Sequence, residues 1–413
     1  MTRVPLARNV RMRAMRILTL TLVATLAIFC VASAEIPRSG PRSELRPDTR
    51  PPLAADDVFW SVQTSGLDTN LRGVSAAYLG NAIAGQPGDV FGVRSIVVWV
   101  CGSNGVILVS YDLGKTWERR HVRGGDSLDF RSIVAFDGKT ALVMSSGEGE
   151  KSRIYETKDG GETWKLEFTG EQPTFFLDAL VCGAECYALS DPVDGKFVIL
   201  ATHHYKDWKE LPSDGMPAAL PGEGAFAASG TSLALGTDRA MYFGTGGAAA
   251  ARVFHSTNSG KTWTVTNVPM AIGNASSGIF SLALVGNTAV IAVGGDYKDP
   301  TRPFRVAAYS LDDGKTWQLA AQPPGGYRSA VVSLFGSALA VGPNGEDISD
   351  DLGAHWKHIG TLDLNAASVL DIHNAWAVGA KGTIARLINH KEYLIQNSVV
   401  REGSARESAY LRP

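Results

Sequence analysis

Ser110-Tyr111-Asp112-Leu113-Gly114-Lys115-Thr116-Trp117 is repeated with small changes four times further along the chain. Thr157-Lys158-Asp159-Gly160-Gly161-Glu162-Thr163-Trp164 and Ser310-Leu311-Asp312-Asp313-Gly314-Lys315-Thr316-Trp317 keep its chemistry. Ser256-Thr257-Asn258-Ser259-Gly260-Lys261-Thr262-Trp263 replaces the acid with an amide, and Ser349-Asp350-Asp351-Leu352-Gly353-Ala354-His355-Trp356 replaces the Thr with His. Five copies of one octet mark a repeat protein. A short acidic or amide side chain with Gly two residues later is turn chemistry, because the side-chain oxygen accepts from backbone N–H groups and Gly supplies positive φ. The β-branched residue and the Trp then restart a strand, and the indole is the anchor. Asp112, Asp159, Asn258, Asp312 and Asp351 are therefore read as structural turn formers, since the further oxygens and terminal Glu of an EF-hand loop are missing.

The octets resemble the Asp-box, or BNR, repeat of sialidase-type β-propellers. In that family the box closes the turn between the third and fourth strands of a blade, on the face away from the ligand. The resemblance implies an all-β propeller and specifies an architecture, not a reaction. Composition agrees: 413 residues with 45 Gly, 9 Trp and 19% charged residues suit a Gly-punctuated, aromatic-rich β protein. Lys plus Arg total 39 against 41 Asp plus Glu, so no global basic field points to nucleic acid.

The N-terminus reads as a targeting segment. Arg3, Arg8, Arg11, Arg13 and Arg16 precede an uncharged run from Ile17 to Ala34 that ends in the small-residue site Ala32-Ser33-Ala34. The expectation is export to the periplasm or medium with cleavage after Ala34, a retained anchor being the alternative. After cleavage no membrane span is expected. Residues 35–57 are a Pro/Arg-rich linker, 58–388 the propeller and 389–413 a polar tail. Export permits disulfides, and Cys182 and Cys186 flank a tight hairpin turn across which a bridge fits better than a metal site. No metal and no cofactor is expected.

Strand-like runs divide the propeller into seven units, the third without an octet, with an insertion near 81–92 in the first. The last unit has three strands of its own. The lone Trp strand Val58-Phe59-Trp60-Ser61-Val62 is expected to pair with Ile384-Ala385-Arg386-Leu387 and close a seven-bladed ring. A six-bladed ring is the alternative, if the third unit is an insertion.

First strands line a propeller channel, and three begin alike: Leu71-Arg72-Gly73, Phe130-Arg131-Ser132 and Tyr327-Arg328-Ser329. If they sit in register, the three guanidiniums converge on carboxylate or phosphate groups. The competing reading pairs each arginine with a neighbouring carboxylate such as Asp129 or Asp178, and a purely structural protein would pair Arg131 and Arg328 internally. Gly-rich stretches holding Asp191, Glu223, Asn274, Asp296 and Tyr297 add polar groups to the same face.

Two resemblances frame the function. A sialidase-like hydrolase implies an arginine trio, a Tyr nucleophile activated by Glu and an acid/base Asp. Arg72, Arg131 and Arg328 with Tyr297 or Tyr327, Glu223, and Asp191 or Asp296 imitate that set, but the Arg-Ile-Pro signature is missing. The blade motifs Ala377-Val378-Gly379 and Asp159-Gly160-Gly161, with Phe130-Arg131, are more similar to the plant photosystem II stability/assembly factor family and its bacterial relatives, over about 59–387. That resemblance implies a non-enzymatic, exported binding or assembly-factor-like protein with a protein or anionic ligand on an arginine-lined channel face. Of the expected contacts only Arg72, Arg131 and Arg328 match that family's arginine patch; Tyr327, Asn274 and Glu223 are added from the polar and aromatic residues at the same strand entries and loops. A glycoside hydrolase or lyase acting on a carbohydrate through Glu223, Asp191, Asp296 and Tyr297 is the alternative.

Overall fold

The computed structural model describes residues 59–79, 95–203 and 206–388. The expected targeting segment, linker, first-unit insertion and C-terminal tail lie outside these residues. Among the described residues, seven four-stranded antiparallel sheets form, and no α-helix does. No described helix is long and apolar enough to cross a membrane.

Six sheets are consecutive in sequence. The seventh joins Leu364–Asp371, Asn374–Gly379 and Thr383–Ile388 to the N-terminal strand Phe59–Thr64. Trp60 pairs with Leu387, Ser61 with Arg386 and Val62 with Ala385, so the ring closes by the expected pairing of these two segments. The third unit lacks the octet yet completes its sheet with Lys206–Glu210, so it is a blade and the count is seven rather than six. Cys182 and Cys186 are disulfide-bonded across its first hairpin.

Each octet performs its turn in the same way. Ser110 Oγ donates to Asp112 Oδ1 (2.8 Å) and accepts from Gly114 N–H (2.8 Å). Asp112 accepts from Thr116 N–H (2.9 Å) and Thr116 Oγ1–H (2.7 Å). Asp159 and Asp312 repeat this set, Asn258 donates its amide to Thr262 instead, and His355 replaces the Thr beside Asp351. The residue before the octet Gly is itself left-handed, as at Leu113 (φ 64°) and Leu352 (φ 62°), so the bend needs two successive positive φ values. That strain is tolerated because the flanking hydroxyl and carboxylate take the N–H groups of the octet Gly and Thr, while a carbonyl of the preceding hairpin turn can take the left-handed residue's own, as Thr288 does for Asp313.

Among the described residues, seven apolar clusters lie between blades, each sharing residues of two neighbours. Trp99 and Val143 join blades one and two, Phe197 and Phe243 blades three and four, and Val98 with Trp376 blades one and seven. The ring is thus held by its wedge faces. The antiparallel order puts octet turns at one end of the ring and the beginnings of the innermost strands at the other.

Candidate functional site

At the end opposite the octets, the innermost strands surround a cavity of ≈ 1040 Å³. A repeated irregularity aims the side chains into it. In blade one the pairing jumps from Leu71↔Gly102 to Gly73↔Cys101, leaving Arg72 bulged. The same slip isolates Arg131 in blade two, Asp178 in blade three, Phe280 in blade five and Asn365 in blade seven. All five line the cavity. A bulge inserts one unpaired residue and turns its side chain away from the sheet's alternation, here toward the axis. Blade four has no such strand, and its irregular approach, residues 219–228, widens the cavity instead.

Arg328 does not join Arg72 and Arg131. Gly342 packs against Arg328 as Gly102 packs against Leu71, so Ser329 holds the bulge position and Arg328 the core position before it. Ser329 lines the cavity, whereas Arg328 is 0% exposed. It donates from Nε to Asp347 Oδ2 (2.6 Å) and from Nη1 to the Tyr327 carbonyl (2.8 Å) and Asn344 (2.5 Å). The equal spacings Arg131–Ala141 and Arg328–Ala338 mislead because the hairpin turns differ: residues 136–140 in blade two, 335–336 in blade six. A one-residue offset exchanges channel for core.

Arg131 lines the cavity but is internally paired. Its Nε and Nη2 reach Asp129 Oδ2 (both 2.8 Å) and its Nη1 the Ala227 carbonyl (2.7 Å). Arg72 differs. Among the described residues its guanidinium makes no hydrogen bond or ion pair, and its Nε is buried without an acceptor. Burial, then the neighbouring Arg131 charge, lowers its pKa.

Asp178, an acid where Arg72 is a base, is 1% exposed, and its Oδ2 meets no donor among the described residues. Burial and then the charge of Asp191 push its pKa well up. Asp191 also lines the cavity, accepts Ala225 N–H at 2.8 Å, and is raised by burial to about 6. An aromatic wall completes the site. Phe226 and Phe280 stack with centroids 3.8 Å apart, Tyr327 meets Phe280 edge-on at 4.8 Å, and Tyr297, 47% exposed, stands at the rim. Burial drives the Tyr327 phenol far above its ordinary pKa.

The other expected residues are committed elsewhere. Glu223 lines the cavity but its buried carboxylate holds Arg252 (Nε–Oε1 2.7 Å) and Thr245 (2.6 Å). Asn274 organises its own turn, accepting from Ser276 and Ser277 and donating to Asp296 (2.9 Å). Neither Asn274 nor Asp296 lines the cavity, and although burial opposes it, donors including Ser276 and the Lys298 amide hold Asp296 below its usual pKa. Phe226, Phe280 and Asn365 were not anticipated. The trace that would have found the last two is the pattern apolar–x–small shared by Leu71-Arg72-Gly73, Phe130-Arg131-Ser132, Leu177-Asp178-Ala179, Ile279-Phe280-Ser281 and Leu364-Asn365-Ala366. Its middle residue is the one the bulge expels.

No curated protein matches this sequence. Among solved structures, the fold is similar to YCF48 bound to D1 peptide (TM-score 0.53, 13% identity, covering 82% of this chain and 99% of that one). It is similar also to YCF48 from Cyanidioschyzon merolae (0.54, 15%, 80% and 98%) and to the WD40 beta propeller domain of Doa1 (0.50, 12%, 80% and 97%). At these identities the likeness is one of fold, and it agrees with the assembly-factor resemblance of the blade motifs. Residues 95–332, more than half of the chain, match the profile of the DUF6242 beta propeller domain, and the chain belongs to that family.

Proposed function

We propose that this protein is an exported, non-enzymatic binding propeller that captures a polypeptide partner by a carboxylate group held in the channel cavity. The observation that carries this reading is Arg72, a guanidinium facing the cavity with no partner among the described residues. Desolvating a charge without pairing it is unfavourable, so such a group is retained where a ligand completes it. A guanidinium fork recognises a carboxylate in two hydrogen bonds. The aromatic wall adds apolar contact, and the solved YCF48 propeller carrying a D1 peptide supports a peptide as the kind of ligand this fold accommodates. The basic N-terminus followed by an uncharged run supports export.

The test is affinity capture from the envelope fraction with the wild-type chain and with Arg72→Gln. Capture of one or more peptides or proteins by the wild type, lost in the variant while its melting temperature is retained, is the expected result. An identical set of captured proteins would remove the cavity from the reading.

A hydrolase keeps one specific observation in its favour: Asp178 and Asp191 face one cavity with raised pKa values. Its other carboxylates are unsuited, Glu223 being held by Arg252 and Asp296 lying outside the cavity. Turnover of sialosides, uronides or neutral glycans that disappears in Asp191→Asn would put this reading first.

A further inference from the structure

Two groups of opposite charge type face the cavity and are left incomplete by the protein itself. From blade one comes Arg72, whose Nε is buried without an acceptor. From blade three comes Asp178, whose Oδ2 is buried without a donor. Asp191, from the second strand of the same blade, brings another carboxyl whose Oδ1 is held by Ala225 N–H. Arg131 stands between the two ends, but Asp129 already neutralises it. The Glu223–Arg252 pair beside Ala225 is likewise closed on itself. The cavity therefore has a guanidinium end and a carboxyl end that do not satisfy each other, with the Phe226–Phe280–Tyr327 wall as its apolar side.

We infer that the ligand of this cavity is a short zwitterionic peptide: its α-carboxylate lies against Arg72, its α-ammonium against Asp178 and Asp191, and an apolar side chain on the aromatic wall. This rests on the reading that Arg72 binds a carboxylate and adds the second pole. An ammonium offers three donors to the carboxyl pair, and its charge favours the ionised forms that burial and mutual repulsion oppose. Opposite poles fixed on separate blades select for a molecule carrying both, because a ligand with one pole leaves the other end of the cavity desolvated and unpaired. A cavity of this volume has room for several residues.

The experiment is calorimetric titration of the full chain with the tripeptide alanyl-phenylalanyl-alanine, its N-acetyl form and its C-terminal amide. It is repeated on Arg72→Gln, Asp178→Asn and Asp191→Asn, each checked by circular dichroism for retained fold. The free tripeptide is expected to bind, and blocking either terminus should weaken it by about tenfold or more, as expected for losing a charge-assisted contact. Asp191→Asn should shrink the penalty for acetylation while keeping that for amidation, and Arg72→Gln should remove the penalty for amidation while keeping that for acetylation. If acetylation makes no difference while amidation prevents binding, the ammonium pole is wrong and the carboxylate reading stands. If amidation makes no difference, the carboxylate reading fails as well. No binding of any form at about 1 mM overturns the peptide assignment. Should Asp178→Asn fail to fold, Asp191→Asn alone decides the ammonium pole, since among the described residues its carboxylate makes only the one hydrogen bond, from Ala225 N–H.

Discussion

Arg328 and Asp347 form an ion pair inside blade six at the two positions where blade one carries Leu71 and Leu108. The correspondence follows from the octets: Asp347 and Leu108 each lie two residues before the octet Ser, and Arg328 and Leu71 each pack against the glycine ending the second strand. One blade has thus exchanged an apolar contact for a desolvated charge pair.

Arg328→Leu leaves Asp347 buried without its guanidinium and is expected to destabilise the propeller by about 3–5 kcal/mol. Arg328→Leu combined with Asp347→Leu restores the chemistry of blade one and should recover most of that loss. Urea denaturation of the two variants checks this. A double variant as unstable as the single one would contradict the equivalence.

Arg72→Met removes a guanidinium that has no partner among the described residues, so stability should stay the same or rise, by about 0–2 kcal/mol. Arg131→Met breaks the contact with Asp129 and should be destabilising. Thermal melts of the pair separate a ligand-binding arginine from a structural one.

Stability should fall as pH rises above about 4. Burial raises Glu346 from 4.5 to about 7 and Asp191 from 3.8 to about 6, so the folded state binds protons that the unfolded state has released. With the native form holding more protons, unfolding free energy decreases with pH across that window and levels off above about pH 7. Glu346 is enclosed, with Oε1 unpartnered, and Glu346→Gln should flatten the slope and raise stability at pH 8 by on the order of 2 kcal/mol. Below pH 4 the sign reverses. Asp159 and Asp312 are depressed to about 2, chiefly by hydrogen bonds from Thr163 and Thr316, and their contribution disappears as they protonate. Denaturation midpoints between pH 3 and pH 8 should therefore peak in mild acid.

Asn258→Asp converts the amide octet into the acidic form. The amide now donates to Thr262 Oγ1 at 2.8 Å, whereas a carboxylate would accept from that hydroxyl, as Asp312 does from Thr316. A charge-assisted bond replacing a neutral one should stabilise by about 0.5–1 kcal/mol at neutral pH, and the gain should vanish below the carboxylate pKa. Denaturation at pH 7 and pH 3 measures both halves of this expectation.

Reduction of the Cys182–Cys186 bond should matter little. It closes a hairpin turn spanning four positions, and so short a loop restrains few unfolded conformations, about 2 kcal/mol or less. Melting with and without dithiothreitol tests it, and mass spectrometry after alkylation should show these two thiols released only by reductant.

Octet, blade division and ring closure were legible in the linear chain because each depends on local chemistry: a hydroxyl, a carboxylate, a glycine and an indole at set intervals, or a strand without a neighbour. Residues 59–64 lie beside 383–388 as an unpaired edge requires. What the cavity holds was not legible. Whether an arginine faces the axis or the core is decided by a single register slip, which places Arg72 and Arg131 in the channel and Arg328 in the blade. Hairpin length hides that slip from any count of residues. The meeting of Arg72, Asp178 and Phe280 is likewise a product of the ring, because residues far apart in sequence become neighbours only when seven wedges share one axis. Local bonding dictated the repeat, and closure around that axis chose the site.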